Sequence, residues 1–447
     1  MNKFLTALLV LFTALTSLVA QEFKPTVNAI DLKTGDTLVF LGDSITHQCL
    51  YTQYIEDFFY TRYPDRRIHF HNAGVGGDRA NDALVRFDDD VAAFQPKYVT
   101  ILLGMNDGSY TKFEPEVFAT YENGMTNLLD KIAALGATAV PMTPTMFDSR
   151  AALVRTGGKV GLRESYYNSV LAFYGSWLRE QASQRGLGFV DMYGPLNSLT
   201  VEQRKTNPKF TMIPDAVHPG PDGQVVMATA ILADMVPKGP VSSIVVRQQP
   251  KTGKFTAVGG NGKATDLAAS DDKITFTFKA NALPWVLPSD ATNGYKLVHA
   301  GHKNSNEKIT VGNLKPGKYE LRIDGELVGA YTEGQLAFGV ELEENAKTPQ
   351  YQQALKVAML NKDRNDKAVR PLRNEWGQMK GKRRELAKLE QGTDKDAFAA
   401  KRDAFEKWLP EFKAKVTALM ATAKEFEDQI YQANQPVARK YELTRVP

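Results

Sequence analysis

The sequence predicts a three-layer α/β domain built on a parallel sheet, then a β-rich region, then a helical C-terminal region. Three observations carry that reading. Short apolar runs alternate with helix-period stretches between residues 33 and 238. Alternating β-branched segments punctuated by Gly, Asn, Asp and Pro follow from Ser242 to about Leu342. A heavily charged stretch with apolar residues at three- and four-residue steps comes last.

In the first region, the runs Thr37–Leu41, Ile68–Phe70, Tyr98–Leu103, Ala137–Val140 and Gly188–Met192 read as strands buried on both faces. Helical patterns lie at Tyr51–Tyr60, Pro115–Leu135 and Glu164–Arg185, and Pro219-Gly220-Pro221 opens another that runs to Met235. Such βαβ alternation builds a flavodoxin-like parallel sheet over residues 33–238. Past Pro237-Lys-Gly-Pro240, the segments Ile244–Arg247, Lys273–Lys279, Lys308–Val311 and Lys318–Ile323 read as strands. Lys315-Pro316-Gly317 and Asp324-Gly325 read as hairpin turns. A small β-sandwich over residues 240–345 is expected. Residues 346–435 read as a helical hairpin, with Phe405, Trp408, Leu409, Phe412, Val416, Leu419, Met420, Ala423, Phe426 and Ile430 on one face. Gly392 stops the preceding helix, Thr393 caps the next with Asp396 three residues on, and Pro410 is a kink position.

A chain of 447 residues exceeds one hydrophobic core, and 43% hydrophobic with 24% charged residues is ordinary for a globular protein. The net charge of +4 gives no electrostatic case for nucleic acid. Lys3, the apolar run Phe4–Leu15 and Ala20 before Gln21 read as a secretory signal over residues 1–20, although Leu18 is bulky for the third position before the cut. The alternative is an uncleaved anchor, for which the run is short. No later segment is apolar enough to span a bilayer. Cys49, the single cysteine, has no partner for an intrachain disulfide and reads as a buried small hydrophobe. The expectation is an exported protein, periplasmic or secreted, of bacterial type.

Chemistry-bearing residues fall at the ends of the expected strands. Leu41-Gly42-Asp43-Ser44-Ile45-Thr46-His47 follows the first apolar run, where a side chain projects into the crevice that open α/β sheets use for ligands. It is not a Gly-x-Ser-x-Gly elbow, because Thr46 replaces the second glycine. Alone, Gly-Asp-Ser is a common turn former. A serine nucleophile needs a base, and Asp215-Ala-Val-His218 supplies one between Pro214 and Pro219-Gly220. Two intervening residues let the carboxylate fold back onto Nδ1 of the imidazole, leaving Nε2 for the serine. Ester attack creates an oxyanion. The Ser44 N–H, the Gly77 N–H in Asn72-Ala-Gly74-Val-Gly76-Gly77-Asp78 and the Asn106 amide in Gly104-Met-Asn106-Asp107 are its candidate donors. Each glycine or Asn-Asp segment is also an ordinary turn by itself.

Together the four segments resemble the SGNH (GDSL-type) serine hydrolases, over roughly residues 35–236. The resemblance implies an SGNH-type fold, Ser44 as nucleophile, Gly77 and Asn106 as oxyanion-hole donors, and His218 as base oriented by Asp215. Gly76 is an alternative to Gly77, since the paired glycines leave the alignment open by one. Asp43, Asp78 and Asp107 match motif positions and are expected to shape the loops. The implied activity is ester hydrolysis through an acyl-enzyme, with no metal or organic cofactor. By analogy within the family, the substrate is a carbohydrate O-acetyl ester, either a small molecule or a polysaccharide. The alternatives are a lipase, lysophospholipase or thioesterase, and, from another class, an inactive glycan- or envelope-binding protein.

Other features read as structural. His299-Ala-Gly-His302 has ligand-like spacing but no acidic or cysteine partner nearby in sequence, and reads as a turn. His47 either touches substrate or covers the serine turn, while His69 and His71 alternate in a strand. Arg370, Arg373, Lys380, Lys382, Arg383 and Arg384 could meet acidic polysaccharide or a membrane. Interspersed with Glu375 and Glu385, they read as a solvated helix face. Trp285 and Trp408 could stack on sugars, with core packing the default.

Overall fold

The computed structural model describes residues 24–270 and 272–446. The expected signal over residues 1–20 lies outside the described residues. Strands β1 (Thr37–Gly42), β2 (His69–Gly74), β3 (Tyr98–Leu102) and β4 (Thr138–Pro141) form an all-parallel sheet in the order β2-β1-β3-β4. The first-region helices are α1 (Ser44–His47), α2 (Leu50–Arg62), α3 (Ala80–Asp90), α4 (Pro115–Ala134), α5 (Ser149–Arg155), α6 (Leu162–Arg185), α7 (Tyr193–Arg204) and α8 (Pro221–Met235). Successive side chains of a strand point to opposite faces, and β1 divides accordingly. Leu38 and Phe40 join a core with α2 and α8, while Val39 and Leu41 join one with α3, α4 and α6. The three-layer parallel architecture is as expected.

Gly188–Met192 departs from the expectation: it makes only one parallel bridge, Val190 to Met142. Its next amides are taken by side chains. Met192 and Tyr193 N–H donate to Thr143 Oγ1 at 2.8 Å, and Asp191 N–H donates to Asp234 Oδ2 at 3.0 Å. Amides committed in this way cannot extend a ladder.

The β-rich region is a two-sheet sandwich. Its strands are β5 (Ser242–Gln248), β6 (Phe255–Gly260), β7 (Gly262–Ala269), β8 (Lys273–Ala280), β9 (Glu307–Val311), β10 (Lys318–Ile323), β11 (Glu326–Thr332), β12 (Val340–Glu341) and β13 (Arg439–Val446). One sheet has the order β11-β10-β13-β8-β7 and the other β12-β9-β5-β6, with Ile244, Phe276, Ile309, Leu321 and Leu443 in the core between them. β13 was not foreseen. It pairs antiparallel with both β10 and β8, so the last strand in sequence is a central one. The helical stretch is therefore inserted between two parts of one sandwich. Deleting Arg439–Val446 opens the five-stranded sheet at its middle and strips Tyr441 and Leu443 from the core. The expected result is proteolytic cleavage within residues 242–345 under conditions where the full chain resists. Equal resistance would refute the structural role of β13.

Three longer helices complete the fold: α12 (Pro349–Arg364), α13 (Arg370–Glu390) and α14 (Lys395–Ala433), where α9 (Thr292–Leu297), α10 (Ala300–Asn304) and α11 (Glu333–Phe338) precede them in the β-rich region. α14 is capped by Asp394, which accepts the Ala397 N–H, one residue beyond the expected Thr393. It continues through Pro410, which lies inside the helix rather than ending it. The hairpin covers the outer edge of β2: Arg364 donates to Phe70 O at 3.0 Å, and the Tyr431 hydroxyl pairs with Ile68 N and O. An unpaired parallel edge is thereby shielded. Trp285 is buried as expected, its Nε1–H donating to Tyr54 O at 2.9 Å. Trp285, Tyr295, Val357 and Ile430 thus share one hydrophobic core with α2 and α8.

The basic stretch is not simply a solvated face, although Arg384 stays exposed. Arg373 is fully buried on Asp90, Lys380 pairs with Asp78, Arg383 with Asp89 and Arg384 with Asp82. Its partners are the acidic face of α3 and the loop before it, where charge complementarity draws α13 onto the parallel-sheet domain.

Candidate active site

The chain leaves β1 for β2 on one side and β3 on the other, so the carboxyl ends of these strands form a crevice. Three of the four motif segments emerge there. Asp43 closes β1 and caps α1, its Oδ1 accepting the Ile45 N–H at 2.9 Å. That sets Ser44 at the first position of α1, where a backbone N–H has no intrahelical partner. The turn packs directly on β2: a Cβ on Gly74 would lie 2.4 Å from His47 N, so only glycine fits. Asn72 braces the same turn by donating to Thr46 O at 2.7 Å.

The fourth segment arrives from the loop before α8. Asp215 Oδ1 accepts the Val217 and His218 N–H groups at 2.9 and 2.7 Å, while Oδ2 lies 2.6 Å from His218 Nδ1. His218 Nε2 lies 2.8 Å from Ser44 Oγ. Burial by itself would raise the Asp215 carboxyl. The amides and imidazole that it accepts from outweigh burial and hold it below the ordinary carboxylate range. The structure therefore brings Ser44, Asp215 and His218 into one hydrogen-bonded line.

Supports of this loop were invisible in the sequence. Ala216 holds a left-handed φ of +78°, which a residue with a Cβ sustains only under tertiary constraint. Its carbonyl accepts the Asp148 N–H at 3.0 Å. Buried Asp148 also accepts Arg204 through both oxygens, and the Thr211 hydroxyl. Gln224 links the far side, receiving the Tyr51 N–H and donating to Gln48 Oε1 and Pro219 O.

Gly76 and Gly77 differ in a way that sequence could not resolve. The Gly76 N–H donates to His47 Nδ1 at 3.2 Å, whereas the Gly77 N–H has no hydrogen bond among the described residues. Gly77 has a φ of +68°, a conformation natural to glycine. Asn106 Nδ2 lies 3.1 Å from Asp78 O and 3.3 Å from Asp43 Oδ2, and Tyr110 donates to its Oδ1 at 3.2 Å. The amide is therefore oriented, and the longer contact to Asp43 is the one a stronger acceptor would displace. Asp43, pushed up to about 7 by burial, and Asp107, pushed up to about 6 by burial, hold loops: Asp107 accepts the Ala80 and Gly104 N–H groups. Asp78 pairs with Arg86 at 2.8 Å.

His47 covers the turn and reaches the appended helices, its Nε2 lying 3.0 Å from Asn374 Oδ1. Cys49 is buried as expected. His71 is buried against Asp90 at 3.0 Å, and His69 meets Glu427 at 3.1 Å. The turn reading of His302 needs correction, because it lies in α10 with Glu341 3.0 Å away. The carboxylates came from β12 and the residues after it, distant in sequence. His302, Glu341 and Glu343 place ligand-type atoms within 4.8 Å of one another, in the β-rich region rather than at the ends of β1–β3.

Residues 40–226 match the GDSL-like lipase/acylhydrolase family. Over 224 residues the chain is 25% identical to an acetylxylan esterase of Geobacillus stearothermophilus, covering 45% of this chain and 94% of that enzyme. A solved structure of a gut microbial diltiazem-metabolizing enzyme superposes with a TM-score of 0.78 at 25% identity, covering 94% of this chain and all of the other. The likeness therefore extends past the parallel-sheet domain into the sandwich and helices. Among the described residues, no helix is long and apolar enough to cross a membrane. Residues 40–226 belong to the GDSL-like lipase/acylhydrolase family, and the protein is an ester-hydrolysing serine hydrolase.

Proposed function

We propose that Ser44 is the nucleophile, His218 the base, Asp215 its orienting carboxylate, and that the ester is an O-acetyl group on a carbohydrate. The observation that carries the assignment is the unbroken line Ser44 Oγ, His218 Nε2, His218 Nδ1, Asp215 Oδ2 at 2.8 and 2.6 Å. Ser44 Oγ attacks the ester carbonyl as its proton passes to Nε2, and Asp215 stabilises the imidazolium. The oxyanion receives the Ser44 and Gly77 N–H groups and an Asn106 N–H released from Asp43. Collapse breaks the bond to the alcohol oxygen, which takes the Nε2 proton. A water molecule then loses a proton to Nε2 and adds to the acyl-enzyme. Acetic acid leaves and the proton returns to Oγ.

The carbohydrate assignment draws support from the acetylxylan esterase relative, which is so named. The basic and apolar sequence of residues 1–20 supports export. The test is a panel of acetylated xylan and xylo-oligosaccharides against p-nitrophenyl esters of two to sixteen carbons. Acetate release from the glycans, with turnover falling steeply beyond short acyl chains, is expected. Preference for the long chains would instead favour the lipase reading. N-terminal sequencing of the protein recovered from a bacterial periplasm or medium is expected to begin at Gln21, and an intact Met1 there would refute cleavage.

A further inference from the structure

Lys380 lies on α13, outside the matched residues 40–226, yet it reaches the candidate site. Its ammonium group donates to Gly76 O at 3.0 Å and pairs with Asp78 Oδ1 at 2.6 Å. The side chain is only 12% exposed. Around it, Val75 is packed against Leu372, Trp376, Met379 and Phe412 of the hairpin, and Asn374 holds His47, whose Nδ1 accepts the Gly76 N–H. The loop carrying Gly76 and Gly77 is thus gripped by α13 through its carbonyl, its neighbouring amide and its flanking side chain.

The Gly76 carbonyl and the Gly77 N–H are two ends of one peptide unit. In a trans peptide they point in opposite directions, and there are no cis peptides among the described residues. A cation bound to the oxygen draws electron density from the nitrogen end and strengthens its N–H as a donor. The same contact fixes the plane of the peptide, so little reorientation is needed when charge develops.

We propose that Lys380 is a positioning residue for ester hydrolysis: through the Gly76 carbonyl it orients and polarises the Gly77 N–H toward the oxyanion. This rests on the site reading above. It gives the appended helices a part in turnover that a match confined to the parallel-sheet domain does not contain. Arg384, on the same helix and paired with Asp82 at 57% side-chain exposure, docks α13 without touching the Gly76 peptide.

The experiment compares full-length wild type, Lys380→Met, Lys380→Arg, Arg384→Met and Ser44→Ala on p-nitrophenyl acetate. Melting temperature and inhibition by a phenylboronic acid are measured alongside. Loss of one oxyanion donor typically costs about 10²–10³ in rate, and weakening one is expected to lower kcat about tenfold in Lys380→Met, with KM within twofold. The boronic acid, whose tetrahedral adduct carries an oxygen in the same place, should weaken in parallel. Lys380→Arg retains a charged donor and should recover most of kcat, while Arg384→Met should match wild type. A Lys380→Met kcat within twofold of wild type, or an equal loss in Arg384→Met, overturns the proposal. Should Lys380→Met fail to fold, Lys380→Gln is judged by the same thresholds. Ser44→Ala with wild-type activity would instead overturn the site itself. An inactive Ser44→Ala beside an unaffected Lys380→Met overturns only the role of Lys380.

Discussion

Ser44→Ala is expected to lower kcat on p-nitrophenyl acetate by about a million-fold, and His218→Ala by a similar factor. The two act as one unit, because the Oγ proton must leave for Nε2 in the same step that forms the new bond, across 2.8 Å. The double variant should therefore be no slower than either single one. Asp215→Asn is expected to lose about 10⁴, since an amide NH2 facing Nδ1 favours the wrong tautomer while sparing the Val217 and His218 amide contacts to the other oxygen. The wild-type carboxylate, held below its ordinary range by those amides and the imidazole against burial, remains ionised throughout neutral and mildly acidic assays. Purified variants with unchanged circular dichroism would be assayed against buffer. A Ser44→Ala enzyme retaining more than about a hundredth of wild-type kcat, where a loss near 10⁶ is expected, removes Ser44 from the chemistry.

The residues of that prediction were readable because strand-end position and local spacing encode them. Asp215 and His218 close their own hydrogen bond within three residues, and Ser44 lies two residues past β1, an apolar run that reads as a buried strand. Features set by distant contacts were not readable. The basic residues of α13 look solvated until Asp78, Asp82, Asp89 and Asp90, some 300 positions earlier, are placed opposite them. α3 is a different case: Ala80, Ala83 and Phe87 share one face with Arg86 and Asp90, two charged residues that turn inward because they pair with each other. β13 did carry a signal, the alternation of Tyr441 and Leu443 with polar neighbours, but one short strand does not declare its partners. Gly188–Met192 failed for the opposite reason: its composition suits a strand, and side-chain acceptors claim its amides. That His47 takes the Gly76 N–H and leaves the Gly77 N–H without a hydrogen bond among the described residues is visible only in three dimensions.

Arg373→Met is expected to be the most destabilising single change at the junction of α13 with the parallel-sheet domain. Arg373 and Asp90 are both fully buried, joined through two guanidinium nitrogens at 2.7 and 2.9 Å. Arg86 at 2.6 Å and His71 at 3.0 Å complete the shell around Asp90. Burial alone would raise the Asp90 carboxyl, but Arg373, His71 and Arg86 hold it well below the usual range. Removing one member of such a cluster leaves a charge underpaired in a dry environment, at a cost of roughly 3–5 kcal/mol. The exposed pair made by Arg384 should contribute under about 1 kcal/mol. The deficit should also depend on pH. In the wild type, burial and Arg373 push His71 down to about 4, so it stays neutral beside Asp90 in mildly acidic solution. Without Arg373 its pKa rises, and the folded variant takes up a proton that the wild type refuses. Asp90 shifts upward as well, so acid eases its burden too. Folded-state proton uptake stabilises as pH falls, and both shifts narrow the gap between variant and wild type from pH 8 to pH 5. Urea midpoints of the two proteins at each pH would measure that gap, with groups remote from Arg373 cancelling in the difference. A gap at pH 8 no larger than that of Arg384→Met, or one that widens in acid, would show that the buried cluster is not what holds α13 in place.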